Sequence, residues 1–257
     1  MLINWTFLLH LYKFKQMKTS DYIEDKINKL PKGYVFTYMD FISEVTKREA
    51  VIKHLNRMVA SGKIEKLSKG KYYKPQSTVF GNLLPEQNQI VKDLLEKNGK
   101  LFGYITGYSY YNAMGFTTQV SNVIQIAKNE TRPSLQRGRF KVAFIKQKNT
   151  ITKQNVPLLR LLDAIRFIKD IPDATIDNSC SRLLKLLTDF TQEEQEQIKK
   201  LVLKYPPSTR ALLGALFQQI DSNQNTEMLQ KSLNPITTYN LSVSETILPT
   251  AKNWNIK

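Results

Sequence analysis

Apolar positions recur along this chain in changing rhythms, and each change marks a new part. From residue 17 to residue 78 the rhythm is helical and then extended. Thr19 or Ser20 is placed to N-cap a helix with Tyr22, Ile23, Ile27 and Leu30 on its apolar side, ended by Pro31 and Gly33. Val35-Phe36 is a short extended piece, and Thr37 can cap a brief second helix through Phe41, Ile42 and Val45. The polar turn Thr46-Lys47-Arg48 opens a third helix that runs to Gly62. Within it Val51, Ile52, Leu55, Met58 and Val59 follow the spacing of one buried face, which leaves Arg48, Lys53, Asn56 and Arg57 outward. Ile64–Leu67 and Tyr72–Lys74 then read as a hairpin, with Gly70 suited to a three-residue loop that needs positive φ. Ile64 and Leu67 lie three apart, which breaks strict alternation and predicts a bulge.

Beyond Pro75 the pattern changes. A helix is expected from Glu86 to Asn98, stopped by Gly99, followed by extended chain from Leu101 to Ile105 and a helix from Thr106 to Met114. FTTQVSNVIQIAKN and GRFKVAFIKQK read as strands, giving an α+β segment with a mainly antiparallel sheet. From Val156 four segments read as helices: VPLLRLLDAIRFIKDI, DNSCSRLLKLLTDF, TQEEQEQIKKLVLKY and PPSTRALLGALFQQI, the last opened by Pro206-Pro207. Residues 222–257 are rich in Asn, Ser and Thr and read as an extended or partly disordered tail with one short strand at Tyr239–Val243. The expected fold class is therefore α+β. An N-terminal winged helix-turn-helix over residues 17–78 precedes an α+β to helical domain over residues 79–221.

Charge sharpens this picture. The chain has 257 residues, with 38 Lys and Arg against 22 Asp and Glu, a net charge of +16. Residues 1–80 hold 15 basic and 7 acidic residues, residues 81–150 hold 10 and 4, and residues 151–257 hold 13 and 11. The excess is thus +8, +6 and +2, concentrated in the first two thirds, which points to a polyanionic partner. Five lysines crowd GKIEKLSKGKYYKP, Gly62 to Pro75. Helix, helix, helix and basic hairpin is the order of a winged helix-turn-helix, whose third helix can enter a major groove. Its wing would lie along phosphates and gain affinity by counterion release. The candidate DNA contacts are Lys47, Arg48, Lys53, Asn56 and Arg57 on the third helix, with Lys66, Lys69, Lys71 and Tyr72 on the wing.

Other classes find less support. One cysteine, Cys180, excludes an internal disulfide and fits a reducing cytoplasm. Two histidines and that cysteine cannot build a His/Cys zinc site at a recognised spacing. No phosphate loop, GxGxxG, HExxH or GxSxG occurs, so no enzyme and no cofactor is expected. Asp163, Asp170, Asp173 and Asp177 are the best remaining metal candidates, but Asp173 and Asp177 read as loop and N-cap residues, and Asp163 as a helix-surface or hinge acid. MLINWTFLLHLYKF is too short to span a bilayer and lacks the flanks of a signal peptide, so no membrane partner is expected. Met17 reads as a natural start, which makes residues 1–16 a mis-start or loose extension. A second binding class is open: RNA or single-stranded DNA stacking on Tyr and Phe of the 100–145 sheet, beside Arg132, Arg137, Arg139 and Lys141.

The order KGKYYKP, FGNLLPE, a G-x-x-x-x-N-x-x-G segment from Gly107 to Gly115, and FTTQVSNV resembles a known family. It is similar to the AbiEi-type antitoxin and transcriptional-regulator family of type IV toxin–antitoxin systems, from about Met17 to Ile220. The resemblance implies an N-terminal winged helix that binds double-stranded operator DNA and represses its own operon. It also implies a C-terminal antitoxin domain, a co-encoded nucleotidyltransferase-like toxin as functional partner, a role in phage defence, and a bacterial cytoplasmic setting. Carried over by position, the DNA-facing residues are Arg48, Lys53, Asn56, Arg57, Lys69 and Lys71. The alternative is a general RNA- or ssDNA-binding protein, or a transcriptional regulator without antitoxin activity.

Overall fold

The computed structural model describes residues 18–42 and 48–257. Residues 1–16, Val45 and the Thr46-Lys47 turn lie outside the described residues. The chain divides into two compact units, residues 1–92 and 93–257. The boundary lies some 14 residues beyond the expected one, because Gln76 to Lys92 folds with the first unit.

In the first unit α1 (Thr19–Lys29) is followed by β1 (Val35–Thr37), α2 (Met39–Ile42), α3 (Arg48–Ala60), β2 (Glu65–Ser68) and β3 (Lys71–Tyr73). The strands form an antiparallel sheet in the order β1-β3-β2. The periodic apolar residues converge as expected: Ile23, Ile27, Phe41, Val51, Leu55, Met58 and Ile64 form one buried cluster with Phe36 and Tyr72. Phe36 meets the Phe41 ring edge-on at 5.8 Å and stacks on Tyr72 at 6.3 Å. The helix start differs from expectation. Lys18 occupies the α1 N-cap and no side chain caps the turn, since Thr19 and Ser20 are already helical. The hairpin bulge falls between Lys66 and Ser68, and Gly70 has φ +73°. Ser68 pairs with Lys71, so the loop has two residues, not three; the bulge absorbs the extra one.

Two hairpins escaped the sequence reading. β4 (Gln76–Thr78) pairs with β5 (Gly81–Leu83), and its turn projects Val79 and Phe80 into solvent. The expected helix to Asn98 stops earlier, as α4 (Gln87–Leu95), and β6 (Glu96–Lys97) turns back onto β7 (Lys100–Leu101). Asn98 and Gly99 make that turn with φ of +51° and +74°, the two left-handed residues of a tight hairpin.

The second unit holds a four-stranded sheet in the order β10-β11-β9-β8. Its strands are β8 (Gly103–Thr106), β9 (Val123–Lys128), β10 (Leu135–Arg137) and β11 (Phe140–Lys146), with α5 (Tyr108–Ala113) between β8 and β9. Two of its three pairings are antiparallel, but the central one, β9 with β11, is parallel. The helices follow closely as read: α6 (Asn155–Arg166), α7 (Ile176–Thr188), α8 (Gln192–Val202) and α9 (Pro207–Ile220). Thr191 and Glu194 form a reciprocal capping box at α8, and Pro207 opens α9.

The C-terminal residues overturn the expectation of a loose tail. α10 (Glu227–Lys231) and a 3₁₀ turn (Pro249–Trp254) lie there, and Leu229, Leu248, Ala251, Trp254 and Ile256 join the main core. A Cβ placed on Gly214 of α9 would come within 2.2 Å of the Trp254 ring, so the helix is notched at that point to admit the indole. Polar composition hid this because the apolar anchors are sparse and have no regular period.

Candidate nucleic-acid interface

The outward face of α3 is set by the same period that buries its inner face. Lys53, Asn56, Arg57 and Ala60 follow one another at i, i+3, i+4 and i+7 and form an exposed stripe, with Glu49 and Ile52 completing a shallow groove. Lys53 and Arg57 make no ion pair among the described residues. The nearby acids are engaged elsewhere. Glu24 meets Lys63 at 2.8 Å and His54 at 3.5 Å, Asp40 accepts from the backbone and hydroxyl of Thr37, and Glu65 accepts from the Tyr73 hydroxyl and from Asn82. Among the described residues only Glu49 places a carboxylate within the α3 groove itself.

Arg48 does not share the stripe. Nine residues separate it from Arg57, two and a half turns of helix, so the two arginines project from opposite sides. The Arg48 guanidinium sits 4.7 Å from the centre of the Tyr38 ring. The expectation that both arginines face outward together is therefore corrected.

The wing residues divide in two. Lys66 and Lys69 are exposed and Lys71 is half-buried. Tyr72, expected to reach phosphate, is only 3% exposed and belongs to the core. Its alternation with Lys71 turns the ring inward, and its hydroxyl donates to Asn56 Oδ1 at 3.1 Å. Burial pushes the Tyr72 pKa up, so the hydroxyl stays a donor. This fixes which way the Asn56 amide points: Oδ1 is taken, while Nδ2 has no partner among the described residues. Tyr72 thus orients the exposed Asn56 amide from behind. The sequence signal was present, since Tyr72 sits on a strand that must bury one face against α3. Lys47 lies outside the described residues.

The sheet of the second unit offers less open surface than its composition suggested. Arg137 is 6% exposed and its guanidinium grips Asp93 with two contacts of 2.5 and 2.8 Å. Tyr104, Tyr111, Phe116 and Phe140 are buried. Arg132 lies over Phe144, Arg139 over Phe140 and Lys128 over Phe102, so cations of this chain already cover these rings.

The aspartates do not converge on a metal site among the described residues. Asp173 accepts from Gln119, and Asp177 accepts from the Ser244 amide at 2.8 Å in the first turn of α7, whose N-cap is Thr175. Asp163, read as a surface or hinge acid, is 1% exposed. It accepts from the hydroxyls of Tyr104 at 2.8 Å, Thr106 at 2.9 Å and Tyr205 at 2.9 Å. Gln147 donates to both tyrosine hydroxyls at 2.8 Å. Desolvation by burial raises the Asp163 pKa to about 6, against the opposing pull of the three hydroxyl donors. These groups join the sheet to α6 and to Tyr205 in the loop before α9.

With this geometry in hand, the chain can be placed. It belongs to a family of unknown function, DUF6088, whose profile matches residues 22–201. Its fold is similar to that in the crystal structure of the RV2827C protein from Mycobacterium tuberculosis, with 13% identity, a TM-score of 0.53, and coverage of 88% of this chain and 85% of the other. No curated protein matches the chain. No helix among the described residues is long and apolar enough to cross a membrane.

Proposed function

We propose that this chain is a duplex-DNA-binding regulator that reads an operator with α3 and grips the flanking backbone with the β2–β3 wing. The observation that carries this reading is the exposed Lys53, Asn56, Arg57 stripe, whose cations make no ion pair among the described residues, beside a hairpin that exposes Lys66 and Lys69. The element order α1-β1-α2-α3-β2-β3 supports it, as the order of a winged helix-turn-helix. In the proposed complex Arg57 donates to a guanine edge, Asn56 Nδ2 to a base acceptor, and the lysines neutralise phosphates. The resemblance to AbiEi-type proteins extends the proposal: the chain represses its own operon in the cytoplasm and acts as antitoxin to a co-encoded nucleotidyltransferase-like toxin.

The first test is salt dependence. Lys69→Ala and Lys71→Ala should each weaken binding to all duplexes alike and reduce the slope of log K against log salt by about 0.9. An unchanged slope in both variants removes the wing from the interface. The second test is genetic. The double variant, co-expressed with the toxin and a promoter reporter, should lose repression while growth is still protected. Loss of protection with repression intact would overturn the assignment of repression to this face.

A further inference from the structure

The second unit carries a separate basic surface with a different geometry. A cleft of about 430 Å³ opens among the end of β11, the last turn of α6, and the loop between α8 and α9. Five cations line it: Lys146, Lys148, Arg166, Lys204 and Arg210. No carboxylate does. None of the five is paired with an acid among the described residues. Five like charges around one concavity repel one another, and a purely structural cleft would be expected to carry compensating acids.

Two further observations concern the residues that line it. Arg210 donates from Nη1 to the Ser232 carbonyl at 2.7 Å, which fixes the guanidinium, and its buried Nε has no partner among the described residues. The 14-residue helix α9 also starts at the cleft, with Pro206 at its N-cap and no side chain capping its first turn. Its positive end therefore adds to the field of the cations. The floor is neutral, made of the buried Gln147 and Tyr205, whose polar groups are tied into the Asp163 network. Asp163 itself does not line the cleft.

We propose that this cleft is a phosphate-binding site that takes the phosphate groups of a nucleotide, either free or at the end of a strand. Arg166 supplies a planar donor pair matched to phosphate oxygens, Arg210 adds its fixed positive charge, and the three lysines act as mobile point charges. The volume falls in the range of small-ligand sites. The proposal is independent of the α3 and wing reading. Charge totals could not have revealed it, since its cations are split between residues 81–150 (Lys146, Lys148) and residues 151–257 (Arg166, Lys204, Arg210), and the latter sum to only +2.

The test uses the full-length protein and fluorescence anisotropy. Probes are a labelled nucleoside triphosphate and labelled single-stranded hexamers with a 5′-phosphate or a 5′-hydroxyl, each competed with inorganic phosphate. The exposed pair Lys148→Glu/Lys204→Glu perturbs the cleft, and Lys53→Ala/Arg57→Ala serves as the α3 control; circular dichroism verifies that both are folded. At least one phosphate-bearing probe should bind, be displaced by phosphate, and lose about tenfold or more in affinity in the cleft variant, with the α3 variant unchanged. Preference for the triphosphate identifies a free nucleotide, and preference for the 5′-phosphorylated hexamer over its 5′-hydroxyl twin identifies a strand end. Absence of binding at millimolar probe, equal affinity in the cleft variant, or loss in the α3 variant would overturn the proposal.

Discussion

Replacing Asp163 with asparagine isolates the energetics of the buried network. The folded protein holds this carboxyl at a pKa of about 6, because burial penalises its charge more than three hydroxyl donors stabilise it. In the unfolded chain the group titrates near 3.9. The folded pKa is the higher one, so the folded state holds its proton more tightly. The stabilising contribution is fully present below about pH 4 and is lost as pH rises through about 6. A shift of roughly two units corresponds to about 2–3 kcal/mol, with no discount for solvent since the side chain is almost fully enclosed. Asparagine has no charge to bury and no such term. It also fits the site: Tyr205 can turn its hydroxyl toward the Leu159 carbonyl, 3.3 Å away, and receive the new amide. Urea unfolding of wild type and Asp163→Asn between pH 4 and 7.5 should show the stability difference moving by about 2–3 kcal/mol in favour of asparagine as pH rises. Groups that titrate elsewhere cancel in that difference. Parallel pH profiles for the two proteins would refute the argument.

Three shorter predictions follow from other contacts. Arg57→Ala should cost about 1–3 kcal/mol at one operator position, whereas Arg48→Ala should show no position-dependent loss; a systematic binding scan of operator variants separates the two. Tyr72→Phe should lower stability by about 0.5–1.5 kcal/mol and weaken specific more than non-specific binding, because the Asn56 amide loses its orienting donor. Equal loss for both kinds of duplex would leave the tyrosine a purely structural role. Gly214→Ala gains about 1 kcal/mol of helix propensity but drives a methyl into the Trp254 ring, so thermal denaturation should show a net lower Tm; a rise in Tm would mean the indole is not seated there.

The helices were legible because their apolar periods are long and their ends carry signals. Pro206-Pro207 marks a start that the structure reproduces, and the segment read from Thr191 opens on a Thr191–Glu194 capping box. The hairpin bulge and the positive φ of Gly70 were equally open to inspection. Asn98-Gly99 was a readable turn that the continuing helical pattern obscured. Tyr72 and Asp163 are a different case. Tyrosine and aspartate carry polar atoms whose position, inside or outside, depends on distant partners: Asn56 for one, and Tyr104, Thr106 and Tyr205 for the other. The parallel pairing of β9 with β11 has the same origin, since no local pattern distinguishes it from an antiparallel one. The basic cleft depends on the meeting of three separate segments, so its residues are scattered in the sequence.

The seating of Trp254 and Ile256 in the core sets an order of events during synthesis. The first compact unit is complete by residue 92. The second lacks part of its interior until residues 248–256 have been made, because Leu248, Ala251, Trp254 and Ile256 line its core. At about 5–20 residues per second, the stretch from 93 to 257 takes roughly 10–30 s to translate. For that interval a nascent chain carries a finished α3 and wing ahead of an unfinished partner unit. The proposed DNA-binding surface would therefore be complete before the second unit has closed, and chaperones would meet the second unit with its α9 notch still vacant.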